Sequence, residues 1–157
     1  RGLGDVYKRQ VSEGATLLAG GDRPAGLNAG HYLAPTVLTD VTETMAVYRE
    51  ETFGPIVSIV PFDTKTELLR MANDCEEGGL TAYIFTRNLA RAEHYAASLR
   101  YGEIQINGVK YDINLPHGGI GQSGIGHDCS ALALHDYLVQ KRITRALDTT
   151  TFGGLNP

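Results

Sequence analysis

The chain has 157 residues, 42% apolar and 20% charged, which suits one globular domain with a core of its own. A net charge of −4 offers no basic surface for nucleic acid or an anionic membrane, and no apolar run reaches the length of a bilayer span. The two cysteines, Cys75 and Cys129, fit a reducing compartment, by default the cytoplasm, better than a disulfide scaffold.

Residues 1–10 show no helical apolar period and resemble a translated sequencing adaptor, so they are read as a non-native leader outside the fold. Ala15-Thr16-Leu17-Leu18-Ala19 then forms a short strand stopped by the turn at Gly20-Gly21. Residues 22–30 are a loop of Gly, Pro and Asn. Residues 32–38 are extended, with Pro35 marking an edge or an irregular stretch.

The middle of the chain alternates strand and helix. Residues 56–62 are β-branched and apolar, the pattern of a buried strand. Thr64 and Glu67 make a capping-box pair, and Leu68, Leu69 and Ala72 share the inner face of the helix that follows, stopped by Gly78-Gly79. A second strand covers 81–86. Asn88 caps a second helix with Leu89, Ala92, Ala96 and Leu99 inward, and a third strand covers 103–107. This order predicts an α/β fold with parallel strands joined by crossover helices, with ligands gathering beyond the carboxyl ends of the strands. Asn107 and the loop after it are expected at such an end. The glycine-rich loop over 108–127 is long enough to be functional or disordered. A last helix is predicted from Asp128 or Ser130, with Leu134 and Leu138 on one face. Residues 142–147 read as a short extended segment and 148–157 as a polar tail.

Two motifs stand out in order: Glu50-Glu51-Thr52-Phe53-Gly54-Pro55, then Leu115-Pro116-His117-Gly118-Gly119 running into Ser123-Gly124-Ile125-Gly126. Between and before them lie Gly20-Gly21, Pro35-Thr36-Val37, Ala72-Asn73, Gly79-Leu80-Thr81, Gly102-Glu103 and Ile106-Asn107. Together they resemble the C-terminal part of an aldehyde dehydrogenase, over residues 11 to about 147. The resemblance implies a partial catalytic domain over 11–141 and a strand at 142–147 that joins the sheet of a neighbouring subunit in a dimer or tetramer. It also implies oxidation of an aldehyde to a carboxylate with NAD or NADP. The nucleophilic cysteine and the general-base glutamate are expected upstream of this chain, so the chain alone is expected to be inactive.

The resemblance gives roles to three residues. Glu51 is implied to bind the hydroxyls of the nicotinamide ribose, since a carboxylate can accept from two adjacent hydroxyls; the plain alternative is a solvated surface glutamate, as Glu50 is read. Phe53 is implied to pack near the nicotinamide; alone it would read as a core phenylalanine. His117 stands where many members carry an aromatic residue. There it resembles the hydroxyaldehyde (lactaldehyde) and aminoaldehyde enzymes, and it either orients a polar group of the substrate or bonds the loop backbone. Tyr111, Asp112 and Asn114 share its loop without assigned roles. The substrate leans to a small polar aldehyde.

Other signals point elsewhere. Gly119-Ile120-Gly121-Gln122-Ser123-Gly124 fits G-x-G-x-x-G, but Pro116 argues against the strand that a dinucleotide fingerprint needs before it. Cys129, near His127 and His135, opens a rival reading as a cysteine hydrolase. A third reading is a non-catalytic module that binds partner chains through residues 142–147. The five histidines and the cysteines show no metal-ligand spacing.

Overall fold

The computed structural model describes residues 3–74 and 78–145, so Cys75 and the end of the expected C-terminal strand lie outside the described residues. The chain opens with helix α1 (Leu3–Ser12), a correction to the reading that set residues 1–10 outside the fold. What holds α1 is polar. Gln10 is wholly buried, its side-chain oxygen accepts from the Val47 amide at 3.2 Å, and its carbonyl accepts from the Ala15 amide at 2.9 Å. Leu3, Val6, Tyr7 and Val11 recur at helical spacing, so the apolar period of this helix was present in the sequence and was overlooked.

Strands β1 (Thr16–Ala19) and β2 (Thr36–Thr39) pair antiparallel, and β3 (Ile56–Ser58) adds to β2 in parallel, with Leu38 beside Ser58. The turn after β1 depends on glycine. Gly20 has φ +76°, and a Cβ there would lie 2.0 Å from the Pro35 carbonyl oxygen. Gly21 donates its amide to the buried hydroxyl of Thr36, which donates in turn to the Ala34 carbonyl, so the loop over 22–35 is closed by paired polar groups. Leu38, Ala15, Val41 and Met45 form the core here, with Val47, Tyr48, Ile56 and Val60 packed around them.

The second half is a βαβ unit. Helix α3 (Lys65–Asn73) follows a short helix α2 (Ala46–Arg49) and β3, and it starts at a complete capping box: the Thr64 hydroxyl accepts from the Glu67 amide at 3.1 Å while the Glu67 carboxylate accepts from the amides of Asp63 and Thr64. Strands β4 (Thr81–Ile84) and β5 (Glu103–Ile106) run parallel, joined by α4 (Leu89–Ser98), whose first turn is capped by Asn88. Ile84, Ala92 and Tyr95 are its core, flanked by Leu68, Leu69, Ala96, Leu99 and Ile104.

Several expectations are corrected. The three strands of the alternating region do not share one sheet: β3 belongs with β1 and β2, and β4 pairs with β5. Helix α3 ends at Asn73, before the glycines expected to stop it. Leu89 points to solvent, and Tyr95 takes its place in the core. The strand expected over 56–62 ends at Ser58, and Val57, Ile59 and Phe62 are exposed. An apolar run marks a surface that needs cover, without saying what covers it. The last helix is a 3-10 helix, Ala131–Tyr137, started by Ser130, and Leu134 and Leu138 are exposed rather than packed on one face. Residues 142–145 pair with no strand among the described residues, and Ile143 is 84% exposed.

Candidate functional site

The loop after α2 carries the first motif. Its entry is anchored at Glu50, whose amide bonds the Ala46 carbonyl at 2.7 Å and whose carboxylate lies 3.5 Å from the Arg9 guanidinium. Its exit is anchored where Thr36, at the start of β2, donates its amide to the Pro55 carbonyl at 2.8 Å. Between these points two tight turns, Gly54 amide to Thr52 carbonyl and Ile56 amide to Gly54 carbonyl, lift the segment off the core. Glu51 is exposed, and its carboxylate has no hydrogen bond or ion pair among the described residues. Phe53 is 84% exposed, so the reading of a core phenylalanine does not hold in this chain. Glu51 lines a cleft of about 300 Å³ together with Val47, Tyr48, Thr52, Ile56 and Ser58.

The second motif lies on the long loop after β5. Asn107, with φ 54°, turns the chain, and its side chain both accepts from the Thr86 amide and donates to the Thr86 carbonyl, each at 2.8 Å. The loop then runs back along the β4–β5 pair. The His117 and Asp128 backbones exchange two hydrogen bonds, 2.9 and 2.7 Å, closing the glycine-rich segment into a lobe. That lobe rests on the amino ends of the strands, where Ile120 donates to the Gly79 carbonyl at 3.1 Å. Asn107 stands at the carboxyl end of β5 as expected, and the loop it opens carries His117 to the amino ends of the strands.

The His117 backbone makes the loop contacts, and its ring makes a different one. Nδ1 lies 3.0 Å from a carboxylate oxygen of Glu103, the first residue of β5. The ring also meets the edge of Tyr111, centroid to centroid 5.8 Å. Burial pushes the Glu103 carboxyl up, but hydrogen bonds from Gln105, His117 and Thr81 outweigh it and hold the group below the usual carboxylate range. Glu103 was missed as a site residue. Its signal was alternation along the strand, which sets Glu103 and Gln105 on one face and Ile104 and Ile106 on the other. His117 lines an open cleft of about 650 Å³ with Ser123, Asp128, Asp136 and Tyr137. Glu51 and His117 line different clefts.

The profile of the aldehyde dehydrogenase family matches residues 2–143. This chain belongs to the aldehyde dehydrogenase family. A chloroplastic betaine aldehyde dehydrogenase of Atriplex hortensis is 36% identical over 143 residues, covering 90% of this chain and 28% of the relative. The peroxisomal aminoaldehyde dehydrogenase 1 of Pisum sativum is 38% identical over 147 residues, covering 93% and 29%. The crystal structure of betaine aldehyde dehydrogenase from Staphylococcus aureus in complex with NAD⁺ superposes with a TM-score of 0.84 at 34% identity, covering 96% of this chain and 31% of that one. The chain thus spans less than a third of the length of these relatives.

The first loop presents both of its motif side chains to solvent. Glu51 is a carboxylate without a partner among the described residues, and Phe53 is an uncovered aromatic ring two residues away. The Cys129 thiol lies 2.6 Å from the Tyr111 hydroxyl, and no hydrogen bond among the described residues joins it to a histidine. The G-x-G-x-x-G run has no strand directly before it, and the 3-10 turn Gly121–Ser123 lies within the run rather than after it. Among the described residues no cluster of His, Cys, Asp and Glu is set to hold a metal ion, and no helix is long and apolar enough to cross a membrane.

Proposed function

We propose that this chain supplies part of the cofactor site and the substrate-side loop of an enzyme that oxidises an aldehyde to a carboxylate with NAD or NADP. The observation that carries it is Glu51: a free, exposed carboxylate beside the open ring of Phe53, on a loop anchored at both ends. The bound nicotinamide supplies hydride acceptance. Glu51 accepts hydrogen bonds from the two hydroxyls of the nicotinamide ribose. Phe53 covers one side of the ring and limits its positions. His117 takes a polar group of a small aldehyde, a hydroxyaldehyde or an aminoaldehyde.

The nucleophilic cysteine and the general base belong to parts of the enzyme outside this chain. The isolated chain is therefore expected to make no NADH from any aldehyde. A burst of absorbance from the purified chain with NAD⁺ and an aldehyde would end that expectation. Residues 142–147 are proposed to add a strand to a second subunit, giving a dimer or tetramer, because an unpaired strand is otherwise an open edge. The proposed compartment is the cytoplasm.

The cofactor role is tested in the full-length enzyme with Glu51→Ala. Losing hydrogen bonds to a charged group costs roughly tenfold to a hundredfold in binding, so KM for the nucleotide should rise by about that factor. An unchanged KM would show that the ribose is held elsewhere.

A further inference from the structure

We propose that Glu103 is a positioning residue for His117, fixing the tautomer that lets His117 receive a hydrogen bond from a hydroxyl on the substrate. The idea rests on the substrate role proposed above for His117.

The geometry is specific. The Glu103 carboxylate accepts from the side chains of Gln105 at 2.7 Å and Thr81 at 3.3 Å, so two neighbours on β4 and β5 hold it in place. Its remaining contact is Nδ1 of His117 at 3.0 Å. An ionised carboxylate can only accept, and Gln105, Thr81 and His117 all stabilise the ionised form. Nδ1 of the neutral imidazole must then carry the proton. The lone pair is left on Nε2, which has no hydrogen-bond partner among the described residues. The His117–Asp128 backbone bridge fixes the main chain from which the ring projects. In that neutral form the ring has an acceptor left rather than a donor, and His117 lines the open cleft. An acceptor selects a group with an O–H or N–H to give. A hydroxyl beside the aldehyde carbon satisfies it, whereas a methyl or a trimethylammonium group does not.

In free solution a neutral histidine favours the proton on Nε2, so the tautomer itself reports the contact. The 157-residue chain labelled with ¹⁵N-histidine is measured by long-range ¹H–¹⁵N correlation in basic buffer, where neutral imidazole is the ordinary form. Wild type is expected to show the Nδ1–H form, Glu103→Gln to keep it through its amide oxygen, and Glu103→Ala to lose it. The Nε2–H form in wild type overturns the proposal without any variant having to fold.

In the full-length enzyme the ratio of kcat/KM for 2-hydroxypropanal over propanal is expected to fall about tenfold in Glu103→Ala, the worth of one hydrogen bond, and to recover largely in Glu103→Gln. A merely structural role would lower both substrates together, and that result also overturns it. Should the wild-type enzyme turn over no aldehyde, the dehydrogenase reading fails instead, and the tautomer measurement still shows whether Glu103 sets His117.

Discussion

Gly102→Ala is expected to detach the glycine-rich lobe from the β4–β5 pair. A Cβ at this position would lie 1.7 Å from the Gly118 carbonyl oxygen and 2.8 Å from its carbon. Both are backbone atoms, so no side chain can turn aside and one of the two main chains must move. Overpacking of this kind costs about 3 kcal/mol, against a total stability of roughly 5–15 kcal/mol for a folded domain. Function is affected as well, because Gly102 and Gly118 each sit next to one member of the Glu103–His117 contact. The expected result is a lower urea midpoint together with faster amide exchange at Ile120, whose hydrogen bond to Gly79 holds the lobe down. A midpoint and an exchange rate equal to wild type would mean that the close approach does not exist in solution.

Leu38→Ala carries the second large effect. Leu38 is fully buried at the centre of the first core, against Ala15, Val41 and Met45. Truncating a buried leucine removes its transfer energy and leaves a cavity, together about 3 kcal/mol. In a chain of this size that is a fall in melting temperature of roughly 10 °C. The residue also lies in the register that sets β2 beside both β1 and β3, so the loss falls on one small sheet that has few other buried side chains. Thermal unfolding followed by circular dichroism reads the change. A shift below about 2 °C would show that the cluster is not a core.

The exposed apolar residues of the two halves bear on both results. Val57, Ile59 and Phe62 beside the first sheet, and Tyr83 and Phe85 on the second, are open in a chain that spans less than a third of its relatives. Exposed apolar surface on this scale marks a contact face. With those faces bare, little stability is in reserve for either substitution.

What the sequence by itself determined was local. The capping box of Thr64 and Glu67 and the Asn88 cap each rest on residues three positions apart. The pattern of residue types is then already the cause. The motif around Glu51 was legible through its resemblance to a known family, and the tight turn from Gly54 back to Thr52 closes within it. Tertiary structure alone decided the rest. Gln10 meets Val47 across 37 positions, and Glu103 meets His117 across 14. Neither contact leaves a periodic trace in the residues between. The assignment of β3 to one sheet and β4 to another, and the return of the loop to the amino ends of the strands, follow from where backbone bonds close at Gly79 and Pro55. Those closures are settled by packing in three dimensions, where a missing Cβ at Gly102 matters as much as any side chain that is present.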